Sequence, residues 1–281
     1  MTTTATRNRP VTRRLRGMAT SDGAGVSLTR VIGTQQLSYL DPFLMLDEFG
    51  SDKPGDYIAG FPSHPHRGFE TVTYMLDGRM RHKDNHGNEG LMTAGSVQWM
   101  TAGRGIVHSE MPEQEEGLMR GFQLWVNLPA KDKMGQPRYQ EFSADRIPEV
   151  SPSKGVAVKV IAGHVGDVAG PVQQPATDPL YLDIAIEAGA SFGQAIASGH
   201  NAFAYVYEGE VSVGADSVGK GELIVLGDGD AVTVSGTSAK SRLILVAGKP
   251  IGEPVARYGP FVMNTQAEIM QAVQDFQSGR F

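Results

Sequence analysis

The chain of 281 residues contains no cysteine. Disulfide frameworks, thiolate metal sites and iron–sulfur clusters are therefore excluded. No apolar run approaches the roughly 18 residues that a membrane-spanning helix needs. No apolar core follows the arginines near the start, so no signal peptide is expected and the cytoplasm is the expected compartment. An excess of positive charge is also missing. There are 25 Lys and Arg against 31 Asp and Glu, a net charge of −6. Without a chain-wide positive field, direct binding to nucleic acid or to an anionic membrane is not expected. One basic stretch, residues 7–16 (RNRPVTRRLR), reads as a solvated terminal segment before it reads as a nucleic-acid arm.

Long helical periodicity is scarce, and short β-rich runs take its place. They include 70–76 (ETVTYML), 97–101, 121–128 (GFQLWVNL), 156–161, 181–186, 203–207, 211–213, 223–226 and 242–246. Thirty-five glycines and sixteen prolines are spread between them as turn residues. One helix is expected near the end, where Thr265 and Glu268 form a T-x-x-E capping box ahead of the stripe Ile269, Val273 and Phe276. This pattern predicts antiparallel sandwiches or barrels. The two halves also echo one another. A Tyr-x-x-x-Gly strand end occurs at Tyr74–Gly78 and again at Tyr205–Gly209, and the pair Gly95 and Gly103 is matched by Gly221 and Gly229. A duplicated barrel follows. The polar, proline-bearing stretch 130–153 marks the division.

Chemistry concentrates in two short motifs. His64 and His66 are two residues apart, as are His108 and Glu110. On a strand, that spacing puts both members of a pair on one face. If the two strands are neighbours, three imidazoles and a carboxylate converge, a donor set suited to a first-row divalent metal such as Fe, Mn, Ni, Cu or Zn.

Residues 64–111, HPHRGFETVTYMLDGRMRHKDNHGNEGLMTAGSVQWMTAGRGIVHSEM, closely resemble the pirin family of the cupin superfamily. GFQLWVNL at 121–128, Tyr181-Leu182-Asp183 and GPFVMNT at 259–265 extend the resemblance over nearly the whole chain. It implies an all-β bicupin: two antiparallel double-stranded β-helix (jelly-roll) barrels with a short C-terminal helix. It places the metal ligands on His64, His66, His108 and Glu110 and makes Fe(2+) the expected ion. Two features depart from the general cupin pattern and are shared by pirins. Only three residues separate Gly60 from His64, and Thr101-Ala102-Gly103 replaces the usual proline-containing turn. The expected division is a terminal segment (1–14), a metal-binding barrel (15–135), a linker (136–152), and a second barrel with the helix (153–281).

Internal alignment puts Ala195 and Ala197 in the slots of His64 and His66, and Val234 and Gly236 in those of His108 and Glu110. None can coordinate, so the second barrel is expected to be metal-free, with His200 structural. Glu70 is read as orienting an imidazole. His82 and His86 are read as part of a solvated hairpin turn or, alternatively, a rim over the metal. Arg67 and Arg104, beside the ligands, are read as partners of carboxylates or of an anionic substrate. Trp99 and Met100 are expected in the core.

The resemblance implies a quercetinase-like dioxygenase, an oxidoreductase that opens flavonols with dioxygen and releases carbon monoxide, with Glu110 as general base. The family also includes non-enzymatic iron-binding regulators that act through protein contacts. A monomer is the default expectation.

Overall fold

The computed structural model describes residues 7–281. Contacts divide the chain into two units. One combines Ile147–Pro250 with the segment that ends at Gly17, and the other combines Met18–Arg146 with Ile251–Phe281. Each unit has a seven-stranded and a four-stranded sheet, and the paired strands run antiparallel. The expected jelly-roll architecture is therefore present twice. Among the described residues the only α-helix is Gln266–Gln277.

In the Ile147–Pro250 unit, strand alternation fixes what points inward. Val156, Val158 and Val160 from Val156–Ala162 meet Leu182, Ile184 and Ile186 from Leu180–Glu187, and Leu243, Leu245 and Ala247 from Lys240–Gly248. These β-branched and aliphatic side chains suit a pleated, buried surface. Val234, one of the residues aligned with the ligand slots, belongs to the same apolar cluster. It pairs with Phe192, whereas Ala195 pairs with Ala231. The internal alignment therefore matches strands without matching every residue.

The hairpin before Glu210–Val213 turns at Gly209, where φ is +71°. A Cβ there would sit 2.3 Å from the Lys240 carbonyl oxygen and 2.5 Å from Ser238 Oγ. Gly209→Ala combines a left-handed backbone with that clash and is expected to cost about 2 kcal/mol. The urea midpoint should fall with an unchanged slope, and an unaltered midpoint would refute the argument.

Three segments differ from the sequence-based division. Val11–Arg16 is no loose terminus; it pairs with Glu222–Leu226 at the edge of the Ile147–Pro250 unit's large sheet. Arg13, Arg14 and Arg16 are exposed there, where charge discourages further strand pairing. The earlier part of the expected 1–14 segment, residues 1–6, lies outside the described residues. Within the expected linker, Arg138–Phe142 pairs with Val97–Thr101 at an edge of the Met18–Arg146 unit's large sheet. The helix groups with the first barrel's residues, contrary to its expected place with the second. Ile269 and Ala272 pack on Ala256, Phe261 and Met263, and the capping box at Thr265 and Glu268 is formed. A linear division misses these pairings because sheet edges are completed by strands distant in sequence.

Candidate metal centre

The two ligand motifs lie on adjacent strands. Phe61–His66 pairs antiparallel with Ile106–Pro112, with His64 directly opposite His108 and Ile106 opposite His66. The register slips between His108 and Glu110, which faces Phe61. Such an irregularity re-aims a side chain without breaking the sheet.

The three imidazole rings have centroids 4.5, 4.7 and 5.0 Å apart, and their ligand nitrogens all lie within 4.8 Å of one another. His64 Nδ1 lies 2.8 Å from the Pro62 carbonyl oxygen, to which it can donate, leaving the Nε2 lone pair for a ligand role. That Nε2 sits 3.0 Å from His66 Nε2. Both ring nitrogens of His108 are buried with no hydrogen-bond partner. Burial holds His66 and His108 well below the ordinary histidine pKa, reinforced by the neighbouring imidazoles. Neutral imidazole is the form that binds metal. Three converging rings with unpartnered nitrogens fit a divalent ion.

Glu110 borders the same cavity and is 2% exposed. Its carboxylate is not in the three-imidazole cluster. Oε1 accepts from Thr73 Oγ1 at 3.0 Å, and Oε2 accepts from Gln123 Nε2 at 3.1 Å. Thr73 and Gln123 face each other on the paired strands Phe69–Asp77 and Met119–Asn127. Neither carries a local sequence signal for this role.

The cavity has a volume of about 610 Å³, within the usual range for small-molecule sites. Leu28, Met45, Phe49, Phe61 and Trp125 give it apolar walls. Asp22, Arg30, Asp47, Glu110, Gln123 and Arg257 supply the polar part beside His64 and His66.

The other candidate residues are placed as follows. Arg67 and Arg104 line a separate depression, with Arg67 ion-paired to Asp275 at 2.7 Å and donating from Nε to the Arg104 carbonyl. Asp275 is held below the usual carboxylate range by its bonds to Arg67 and Arg280. Glu70 accepts from Thr101 Oγ1 at 2.6 Å. It does not share a strand with the histidines, because the chain passes from the small sheet to the large one between His66 and Phe69. His86 is exposed in a turn, as expected. His82 is not in that turn: it lies on Arg79–Asp84, 1% exposed and paired with Glu110, its Nε2 2.6 Å from Glu141 Oε1. His200 is 9% exposed, with Nε2 3.5 Å from Asp178. Trp99 and Met100 are core residues, as expected.

Two cupin barrels, one of them carrying a three-histidine metal site, make this chain a bicupin. It belongs to the pirin family: residues 25–126 match the Pirin family and residues 181–281 match the Pirin C-terminal cupin domain. A pirin-like protein of Caulobacter vibrioides is 56% identical, covering 97% of this chain and 99% of its own. Human pirin is 46% identical over 92% of this chain and 89% of its own. A crystal structure of quercetin 2,3-dioxygenase from Acinetobacter baumannii superimposes with a TM-score of 0.91 at 33% identity, covering 98% of each chain. No helix among the described residues is long and apolar enough to cross a membrane.

Proposed function

We propose that the protein is a metal-dependent dioxygenase that cleaves a flavonol or a related enolic or phenolic compound. In this reading His64, His66, His108 and Glu110 hold an iron(II) ion. The carrying observation is that two of the three clustered imidazoles, His64 and His66, line a substrate-sized, apolar-walled cavity that is also bordered by the buried carboxylate of Glu110. A closed, water-filled site would have favoured a purely regulatory iron protein. The likeness to the Acinetobacter baumannii quercetin 2,3-dioxygenase supports the same reading.

A bound ion would supply Lewis acidity toward the substrate's enol oxygen and a means of engaging dioxygen. The protein's own groups do the rest. Glu110 takes the proton of the substrate hydroxyl as general base. Thr73 and Gln123 fix its two oxygens and hold the carboxylate toward the cavity. Phe49, Phe61 and Trp125 pack the rings and exclude water from the site.

The test is to purify the protein anaerobically, quantify its metal, then add quercetin and dioxygen while following flavonol absorbance and carbon monoxide. One ion per chain is expected, with metal-dependent loss of flavonol. Two ions per chain would contradict the metal-free reading of the second barrel. One ion without turnover would overturn flavonol cleavage.

A further inference from the structure

The charged groups of the cavity wall are nearly all paired. Arg30 bonds both oxygens of Asp47, at 2.9 and 2.7 Å, and also Asp22 at 2.8 Å. Glu110 is held by Thr73 and Gln123. Arg257 is the exception. Its guanidinium lies 4.8 Å over the Trp125 ring. Its polar contacts are a long one of 3.5 Å to the Gly259 carbonyl and a 4.0 Å approach to the Met45 sulfur. Among the described residues no carboxylate is within ion-pairing distance of it, since Asp22 and Asp47 are both engaged by Arg30. A guanidinium has five donors in a planar fork. Here the indole supports one face of that fork, and its hydrogen-bonding edge is left nearly unused beside the cavity. Burial and the adjacent Arg30 hold its pKa below the ordinary arginine value, against the opposing pull of Asp47 and Asp22.

We propose that Arg257 is a specificity-determining residue that binds a fixed anionic group, a carboxylate or its equivalent, on a planar aromatic substrate lying against Trp125. This deepens the dioxygenase reading and rests on it for the placement of substrate in the cavity. The substrate class becomes an enolic or phenolic aromatic acid, with its hydroxyl toward the histidines and its anion toward Arg257. Arg30 offsets one of the two negative charges of Asp22 and Asp47 and Arg257 balances the other at longer range, so an incoming carboxylate is held by the unused donors of the Arg257 fork and not by a surplus of positive charge.

The experiment is calorimetric titration under argon of protein loaded with zinc(II), which binds without turnover. Two acid–ester pairs are used: 4′-carboxy-3-hydroxyflavone and 6-hydroxy-2-naphthoic acid, each against its methyl ester. In the wild type at least one acid should bind about tenfold more tightly than its ester, the scale of a charge-assisted hydrogen bond at a partly solvated site. The preference should shrink in 0.5 M salt, since the site reaches solvent. Arg257→Gln should abolish it, and Arg257→Lys should keep part of it, which separates charge recognition from a folding defect. Acids that bind no more tightly than their esters in both pairs overturn the proposal, as does a preference that survives Arg257→Gln. Charge preference in the naphthoate pair without binding of either flavone keeps the role of Arg257 and removes the flavonol reading. Binding of both flavones without charge preference does the reverse.

Discussion

Replacing His108 with alanine is expected to empty the metal site while leaving the barrel folded. His108 sits opposite His64 in the strand register, and both its ring nitrogens lack a partner within the protein. The fold therefore loses no hydrogen bond with the imidazole, only the ring contacts to His64 and His66. Removing it leaves two of the three clustered imidazoles. Partners that merely orient a ligand are worth about 10- to 100-fold in metal affinity, so deleting a ligand should cost more than about 100-fold. Metal content after equilibrium dialysis is the readout, with the urea midpoint as control for folding. Stoichiometric metal in the folded variant would remove His108 from the ligand set.

The second large effect belongs to Glu110. Glu110→Gln keeps the shape of the side chain and its hydrogen bond from Thr73, while Gln123 can rotate its amide to accept from the new NH₂. The three imidazoles remain to hold the ion. On the proposed reading the base disappears, and with it the one anionic member of the ligand set. Turnover of flavonol should fall about 10²- to 10⁴-fold, the usual contribution of a positioned general base. Unchanged turnover in a metal-replete variant would end the general-base assignment.

The clustering of His64, His66 and His108 was legible in the sequence because much of its information is local. A spacing of two on a strand is the same as one face, so H-x-H carries its geometry with it, whereas H-x-E does so less directly because the register slips between His108 and Glu110 and the carboxylate stays outside the imidazole cluster. The neighbouring residues follow from the same local geometry, and Arg67 takes the first of its two expected roles, as partner of a carboxylate. Arg67 follows His66 directly, so its side chain leaves the opposite face and reaches Asp275. The spacing from His66 to Glu70 has no such meaning, since the chain changes sheets between them. Gly68 makes that passage with φ +86°, so close to the Val262 carbonyl oxygen that a Cβ would stand 2.0 Å from it.

Thr73, Gln123 and Arg257 were not legible as residues of the site. Gln123 and Arg257 line the cavity and Thr73 bonds the Glu110 carboxylate behind it, from three separate segments, and nothing in their neighbours marks them. The strand pattern was readable almost throughout: runs such as 97–101 and 156–161 lie within observed strands. Which strands closed which sheet was not, because pairing partners such as Val11–Arg16 and Glu222–Leu226 lie far apart in the chain.

Both units are discontinuous in sequence, and this sets an order of events during synthesis. The strand Val11–Arg16 is made early, yet its partner Glu222–Leu226 emerges about 200 residues later. The histidine-bearing strands wait longer still. Arg257, Gly259 and Pro260 line their cavity, and the buried Lys133 amine bonds the Gly68 carbonyl and the Val262 carbonyl, at 2.7 and 3.0 Å. The wall of the pocket is thus finished by residues made well after the histidine-bearing strands. An ion that arrived before that segment would meet an unfinished pocket, so selection among competing metals would fall to the step at which the segment docks.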